Sequence, residues 1–507
     1  MFASEEVRSG ESAPTTSDSR VGRMPEQPHD AFWRIEQATR ASVIVDAADY
    51  FVHLRSAMLK AQRRIILVGW DFDARIPLGD DASDGSPHAI GAFISWLVKR
   101  RPGLDVYILR WGTGALEMFL HARTLLTVLG WIPDPRIHLK LDGHHPIAGS
   151  HHQKVAVIDD TLAFCGGIDT TRNRWDTREH ADHEPRRVNP NGQPYGPWHD
   201  ATTALEGPVA RALGDMCRQR WEKAGGRPID PLPDLAPCWP DQLRADFYEV
   251  AVGISRTLPA MSDHAVVNEV ENLYVSMIKR AKSWIYAESQ YFASRHIAEA
   301  IAQRLHEDDG PEVVVITPTS AEGWLEPVAM DTARARLIAA LRDCDRGDRF
   351  RVYHPMTAGG APIYVHAKVT VIDDDVLRVG SSNLNNRSLR LDSECDISID
   401  AARDRRGEVS VTIAGVRNSL LAEHLGTSCS EVERKLMETG SLIATIESLR
   451  TDGRSLRPYE LPQLAPVQQW LADTKLLDPE GPDEMFEPPA RRVGLLSRLR
   501  HHRTKRV

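Results

Sequence analysis

The chain has 507 residues, 42% of them hydrophobic and 26% charged, and a formal net charge of -9. That length fits two or three domains, and the composition fits a folded globular body rather than a fibrous or disordered one. No run approaches the roughly 18 apolar residues of a membrane span. Six cysteines are scattered singly without a C-x-x-C pair, so neither a zinc site nor a disulfide framework is indicated. A reduced, cytoplasmic setting is the default expectation.

Residues 1–38 read as a disordered leader. Ser4 to Pro28 is rich in Ser, Glu, Thr, Gly and Pro without apolar periodicity, and it lacks the basic start and apolar core of a signal peptide. A first lobe is expected over 39–240. It opens on the apolar strand Arg64 to Trp70, continues through a helical stretch to a second strand, Leu104 to Trp111, and reaches a third around Lys154 to Ile158. The stretch Gly225 to Pro240 holds five prolines and reads as a linker. A second lobe, 241–428, repeats the order with Ser283 to Phe292, Glu312 to Thr317 and Lys368 to Ile372. Strands alternating with helices predict an α/β fold of two tandem lobes, each a mixed sheet flanked by helices. Residues 429–507 form an extension, helical over Ser430 to Leu449 and ending in a basic tail.

That tail, Arg491 to Val507, carries seven Lys or Arg and no acid, which leaves the remaining body with 55 basic and 71 acidic residues, a net of -16. An acidic body is a poor polyanion binder, so nucleic acid is not expected as a partner. The tail suits either an anionic membrane surface, giving peripheral attachment, or plain solvation.

Each lobe carries the same polar signature. The first is His152-Gln-Lys154, four residues, Asp159, six residues, then Gly166-Gly167-Ile168-Asp169; the second is His366-Ala-Lys368, four residues, Asp373, six residues, then Gly380-Ser381-Ser382-Asn383. Residues two apart on a strand share a face, which predicts that His and Lys of each copy point the same way. Seven fixed positions match by chance with a probability of roughly 10^-9 per window, and the chain holds two copies. A phosphodiester repels nucleophiles, so its cleavage calls for a nucleophile, an acid and fixed positive charge. Two histidines supply the first two and Lys154 with Lys368 the third, with Asn383 as a neutral donor. No metal-ligand cluster stands out, and this chemistry requires no cofactor.

These duplicated His-x-Lys-x(4)-Asp motifs resemble those of the phospholipase D superfamily. The similarity extends to Arg174-Trp-Asp176, Pro197-Trp-His-Asp200 with Glu206-Gly-Pro208, Ile285 to Phe292, and Glu423-His-Leu-Gly426. The resemblance implies one active site at the interface of the two lobes in a single chain, with no second copy needed and a phospholipid at a membrane surface as substrate. It further implies nucleophilic attack by His152, proton donation by His366, and release of phosphatidic acid and a headgroup alcohol. The two copies alone do not distinguish the histidines. A cardiolipin synthase-like transfer and, less so, nucleic-acid cleavage are the alternatives.

Each histidine should also have a carboxylate partner. Glu394 opens a strand-like run 28 residues after His366, and Asp200 opens the comparable run 48 residues after His152. This predicts pairs within each lobe, with Asp176 and Glu179 as rivals for His152. Asp159 and Asp373 follow strands directly and read as turn or ion-pair residues. An acid at position 169, where the resemblance leads one to expect Asn, should point away from phosphate or pair with Arg174. Gly166, Gly167 and Gly380 are expected to let backbone approach the phosphate, and Ser381, Gln290 and Trp198 to line the pocket.

Overall fold

The computed structural model describes residues 29–79, 84–112, 130–131, 134–146, 148–321, 330–404 and 407–461. In chain order the first half contains β1 (Arg34–Val45), α1 (Ala47–Lys60), β2 (Arg64–Gly69), α2 (Ile90–Arg100), β3 (Asp105–Trp111), β4 (Ile137–Asp142), β5 (Val155–Ile158), β6 (Leu162–Gly166), β7 (Trp198–His199), β8 (Ala201–Glu206) and α3 (Pro208–Lys223). The second half contains β9 (Phe247–Leu258), β10 (Val267–Asn268), α4 (Glu269–Arg280), β11 (Trp284–Glu288), α5 (Arg295–Leu305), β12 (Glu312–Ile316), α6 (Thr332–Cys344), β13 (Phe350–Met356), β14 (Tyr364–Val365), β15 (Val369–Ile372), β16 (Val376–Gly380), β17 (Glu394–Asp400) and α7 (Glu408–Leu425). It ends with α8 (Cys429–Thr439), α9 (Leu442–Leu449) and β18 (Ser455–Pro458).

The fold is α/β, with helices flanking mixed strands, as expected. The two mixed half-sheets merge into one. Its strand order is β18-β13-β12-β11-β15-β16-β17-β9-β1-β8-β6-β5-β2-β3-β4. The order is symmetric about the β1–β9 pair: β2 is parallel to β3 and antiparallel to β5, just as β11 is parallel to β12 and antiparallel to β15. β1 and β9 run antiparallel with Arg34 opposite Ile254 and Ala41 opposite Phe247. β5 and β15, Val-Ala-Val-Ile and Val-Thr-Val-Ile, are buried throughout, as strands covered on both faces must be. On one face Val155, Val157, Val369 and Val371 enter one apolar cluster that also takes Val252 and Ile254 of β9 and Ala38 and Ala41 of β1, so this core is continuous across the two lobes.

Several expectations change. β1 begins at Arg34, so its first five residues fall inside the stretch read as leader. Its polar residues hide the strand pattern because they are paired: Arg34 with Asp215 at 2.7 Å, and Arg40 with both oxygens of Glu206 at 2.6 and 2.7 Å. β4 lies between the strand at Leu104 and the one at Lys154, so the latter is not the third. The helix read over Ser430 to Leu449 is two helices, broken at Gly440, whose φ of 63° ends α8 in a left-handed turn. The proline-rich 225–240 segment has no regular structure, yet Cys238 and Trp239 are buried against the first lobe. Among the described residues, no helix is long and apolar enough to cross a membrane. The basic tail lies outside the described residues.

Asp159 and Asp373 serve structure, in line with their reading as turn residues. Each sits at φ 52° just past its strand, a conformation Asp tolerates better than most side chains. Asp159 accepts from the backbone N–H groups of Gln62, Arg63 and Arg64 at 2.5, 2.8 and 2.7 Å. Asp373 does the same for Lys282, Ser283 and Trp284, at 3.0, 2.8 and 3.0 Å. Each motif acid thus ties the strand that follows its histidine to the start of the neighbouring β2 or β11. Asp373→Ala should therefore cost about 2–4 kcal/mol of stability, since three donors lose their acceptor. The shift in denaturation midpoint measures this, and a loss below about 0.5 kcal/mol would mean that water serves those donors equally well.

Candidate active site

The site forms where two pairs of extended segments cross between the lobes. Residues 150–152, leading into β5, run beside 392–394, leading into β17. Ser393 donates its N–H to the Ser150 carbonyl at 2.9 Å, and His152 donates to the Ser393 carbonyl at 2.9 Å. The related pair is β14 alongside β7, in parallel, with His366 donating its N–H to the His199 carbonyl at 2.8 Å. The His-x-Lys segments thus lie just ahead of β5 and β15 rather than within them.

This crossing sets the carboxylate partners. His152 Nδ1 meets Glu394 Oε1 and Oε2 at 3.0 and 3.1 Å, and His366 Nδ1 meets Asp200 Oδ2 at 2.7 Å. Both acids expected from the repeat are used, but the pairing within lobes is wrong: each histidine takes the acid of the other lobe. The reason lies in the backbone, because each histidine is hydrogen-bonded to the residue that precedes the other lobe's acid. Of the rivals, Asp176 is occupied by His180 and Arg187, and Glu179 is exposed. Glu394 is held further by the Ser381 hydroxyl, which donates to Oε2 at 2.5 Å.

The lysines turn back over the same site. Lys154 Nζ donates to the His152 carbonyl at 2.8 Å and pairs with Asp169 Oδ2 at 3.2 Å. Lys368 Nζ donates to Gln290 Oε1 at 3.2 Å and to the His366 carbonyl. Trp198 stacks on Tyr364 with ring centroids 4.6 Å apart and lies 5.2 Å from the His366 ring, while the Arg174 guanidinium covers its face at 4.4 Å. Gln290 Nε2 donates to the Tyr364 hydroxyl at 2.9 Å.

Burial and positive charge dominate the electrostatics. Burial, then Lys154 and Lys368, hold His152 well below the usual imidazole range, partly offset by Asp392 and Asp169. Burial, then Lys368, Arg174, Lys154 and His152, hold His366 well below it too. Burial pushes Lys368 down to about 7, with Asp200 opposing. Burial raises Asp200 and Glu394, and the lysines oppose it. Each histidine feels the lysines of both lobes, which makes the two motifs one electrostatic site.

The second lobe's residues 274–409 match a family model described as "Cardiolipin synthase, PLD-like domain". Phospholipase D alpha 1 of Carica papaya is 24% identical, covering 73% of this chain, and its Zea mays counterpart is 25% identical, covering 76%. The matched regions span 63% and 65% of those two relatives. Phospholipase D alpha 4 of Arabidopsis thaliana is 24% identical over 88% of this chain and 72% of its own length. The family model and these relatives together support the phospholipase D superfamily for this chain. A phosphatidylserine synthase from Haemophilus influenzae shares the fold, with a TM-score of 0.52 at 14% identity over 81% of this chain and 94% of its own.

Against the superfamily signature, some residues take other duties than the sequence suggested. Asp169 does not pair with Arg174. Its Oδ1 accepts from the Trp70 N–H at 2.9 Å and its other oxygen faces Lys154. The motif glycines are packing residues rather than a phosphate cradle: a Cβ at Gly166 would fall 2.4 Å from Thr202 Cα, at Gly167 2.2 Å from Asp200 Oδ1, and at Gly380 2.0 Å from Asp396 Oδ1. Each therefore lets an acid-bearing strand come close. Asn383, at the position matching Asp169, is buried with its Oδ1 unpartnered. Trp198 lies beside the His366 ring, Gln290 accepts from Lys368, and Ser381 holds Glu394. Tyr364, Ser393 and the stacked Arg174 went unread as site residues; only the motif runs around them hinted at a role.

In protein carrying 15N-labelled histidine, His152 and His366 should remain neutral from about pH 8 down to about pH 6 in the absence of ligand. Glutamine variants assign the signals. A midpoint near the ordinary imidazole value for either residue would contradict this electrostatic picture.

Proposed function

We propose that this protein is a phospholipase D, cleaving the distal phosphodiester bond of a glycerophospholipid to give phosphatidic acid and the free headgroup alcohol. The observation that carries this reading is the pair of histidine–carboxylate dyads crossed between the lobes, with both lysines turned over them. The imidazole of each dyad has its Nδ1 fixed by a carboxylate, which leaves Nε2 for the chemistry.

In this scheme His152 Nε2 attacks phosphorus and the bond to the headgroup oxygen breaks, with His366 giving its proton to that oxygen. Water then attacks the phosphohistidine, His366 takes its proton, and the phosphorus–nitrogen bond breaks to release phosphatidic acid. Lys154, Lys368 and Asn383 face the non-bridging oxygens. The free site keeps both imidazoles neutral, which suits a nucleophile but not an acid. A bound phosphodiester adds a negative charge beside His366 and raises its affinity for a proton, so the acid is charged when substrate arrives. No metal or cofactor has a part in these steps.

A second reading, phosphatidyl transfer between two phosphatidylglycerol molecules, is favoured by the description of the family model that the second lobe matches. The chemistry differs only in the acceptor, an alcohol replacing water at the second step.

Purified protein given phosphatidylcholine vesicles with a primary alcohol should form phosphatidic acid and the phosphatidyl alcohol. Consumption of phosphatidylglycerol alone, yielding cardiolipin, would favour the second reading. His152→Ala should lower turnover by about 10^4-fold or more, and Glu394→Gln or Asp200→Asn by about 10^2 to 10^4-fold. A His152→Ala enzyme at the wild-type rate would sink the mechanism. The pH dependence follows from the same groups. Because His152 is held low, kcat/KM should persist on the acid side well below an ordinary imidazole midpoint. Because Lys368 is held down to about 7, it loses its charge as pH rises through that value, and kcat/KM, already declining because free His366 is neutral, should fall more steeply there. Lys368→Arg, which stays charged, should push that alkaline limb upward in whatever activity remains.

A further inference from the structure

Beside Asp200, outside the machinery above, four buried side chains converge: Asp46 between β1 and α1, His180 in the loop ahead of β7, His199 in β7, and Glu423 in the last turn of α7. His199 Nδ1 lies 2.7 Å from Glu423 Oε1 and 3.4 Å from Asp46 Oδ1. His180 Nε2 lies 3.1 Å from Glu423 Oε1 and 3.6 Å from Asp46 Oδ2. A tetrahedral ion with bonds near 2.0–2.1 Å sets its ligand atoms roughly 3.3 Å apart, and the separations of His180 from Asp46 Oδ2 and of both histidines from Glu423 Oε1 fall on either side of that value.

Three further features point the same way. Each imidazole is oriented from behind by a carboxylate: His180 Nδ1 by Asp176 Oδ2 at 3.0 Å, and His199 Nε2 by Glu288 Oε2 at 2.8 Å. That is the arrangement of metal-binding histidines, whose outer nitrogen donates to an acid. Glu288 is itself fixed, accepting from the Tyr286 hydroxyl at 2.5 Å and facing His424 Nε2 at 3.0 Å. Asp46 Oδ2 is buried and has no hydrogen-bond partner. Finally, the carboxylates of Asp46, Asp176, Glu288 and Glu423 face two guanidiniums, Arg178 on Glu423 at 2.5 Å and Arg187 on Asp176 at 3.1 Å. The residual charge of minus two is met either by a proton on each of His180 and His199 or by one divalent cation.

We propose that Asp46, His180, His199 and Glu423 form a structural site for a divalent transition-metal ion of the zinc class, bound through Asp46 Oδ2, Glu423 Oε1, His180 Nε2 and His199 Nδ1. Binding exchanges one ion for two protons, one from each imidazole, so the buried charge is unchanged. Four protein ligands leave no open position, which suits a structural rather than a catalytic ion. The ion would tie β1, the 176–200 segment and α7 together. Asp46 Oδ1 accepts from the Asp200 N–H at 3.0 Å, so the ion would also steady the partner of His366.

The test uses the full chain expressed in zinc-supplemented medium and freed of loose metal by gel filtration. One equivalent of zinc by elemental analysis is expected, with a melting temperature that falls when a strong chelator removes it. Protein loaded with Co2+ should show the visible bands of a tetrahedral ion, and its X-ray absorption should fit two imidazole and two oxygen ligands. Asp46→Asn, which keeps the acceptor for the Asp200 N–H, should lose the ion while its near-ultraviolet circular dichroism stays native. A wild-type content below about 0.2 equivalent would overturn the site and leave a cluster neutralised by protons alone. A full equivalent retained in folded Asp46→Asn would overturn it as well. Should that variant not fold, a wild-type ligand shell other than two imidazoles and two oxygens decides against it.

Discussion

The antiparallel pairing of β1 with β9 is the constraint on which the site depends. It joins two half-sheets of the same order edge to edge and brings the segments before β5 and β15 against those before β17 and β8. Once the segments run side by side, backbone hydrogen bonds such as His152 to Ser393 and His366 to His199 leave no choice of carboxylate. A histidine of one lobe is then unable to keep its proper tautomer without the other lobe. The crossed dyads make the two halves a single catalytic unit, and the shared apolar core around Val157, Val252 and Val371 makes them a single folding unit as well.

Much of this was legible in the sequence. The spacing of His, Lys and Asp, met twice, located both motifs, and the acids ahead of two strand-like runs named Glu394 and Asp200. The partner assignment failed because a repeat shows which residues correspond, not which face each other. Equivalent residues in a duplicated fold can pair within a copy or across the dyad axis, and only the register of the joining strands decides. β1 escaped notice for a related reason. Its arginines and glutamate look like surface residues until Arg40 is seen bidentate on Glu206, half-buried against the neighbouring strand.

The glycines illustrate another limit. Gly167 and Gly380 sit next to the phosphate-facing groups in sequence, so a role in close approach to ligand was natural to expect. The close approach is real, but the approaching atom is a carboxylate oxygen from the neighbouring strand. At Gly167 that oxygen belongs to Asp200, so the missing side chain makes room for the partner of His366. The residue type reported a crowded backbone, and the fold alone says what crowds it.

The asymmetry between the motifs bears on which histidine attacks. Around His366 burial and the positive charges of Lys368, Arg174 and Lys154 work against holding a proton, while the Asp200 carboxylate at 2.7 Å favours it. Around His152 burial and the two lysines work the same way, but Asp392 and Asp169 oppose them. Both imidazoles are held low, so the two motifs differ in the charges that surround each histidine rather than in the direction of its shift. Asp169, which departs from the Asn of the second motif, contributes to this difference by facing Lys154 and dulling its field. The irregular residue of the first copy thus makes the two motifs electrostatically unequal, a difference on which the division of roles proposed for His152 and His366 can rest.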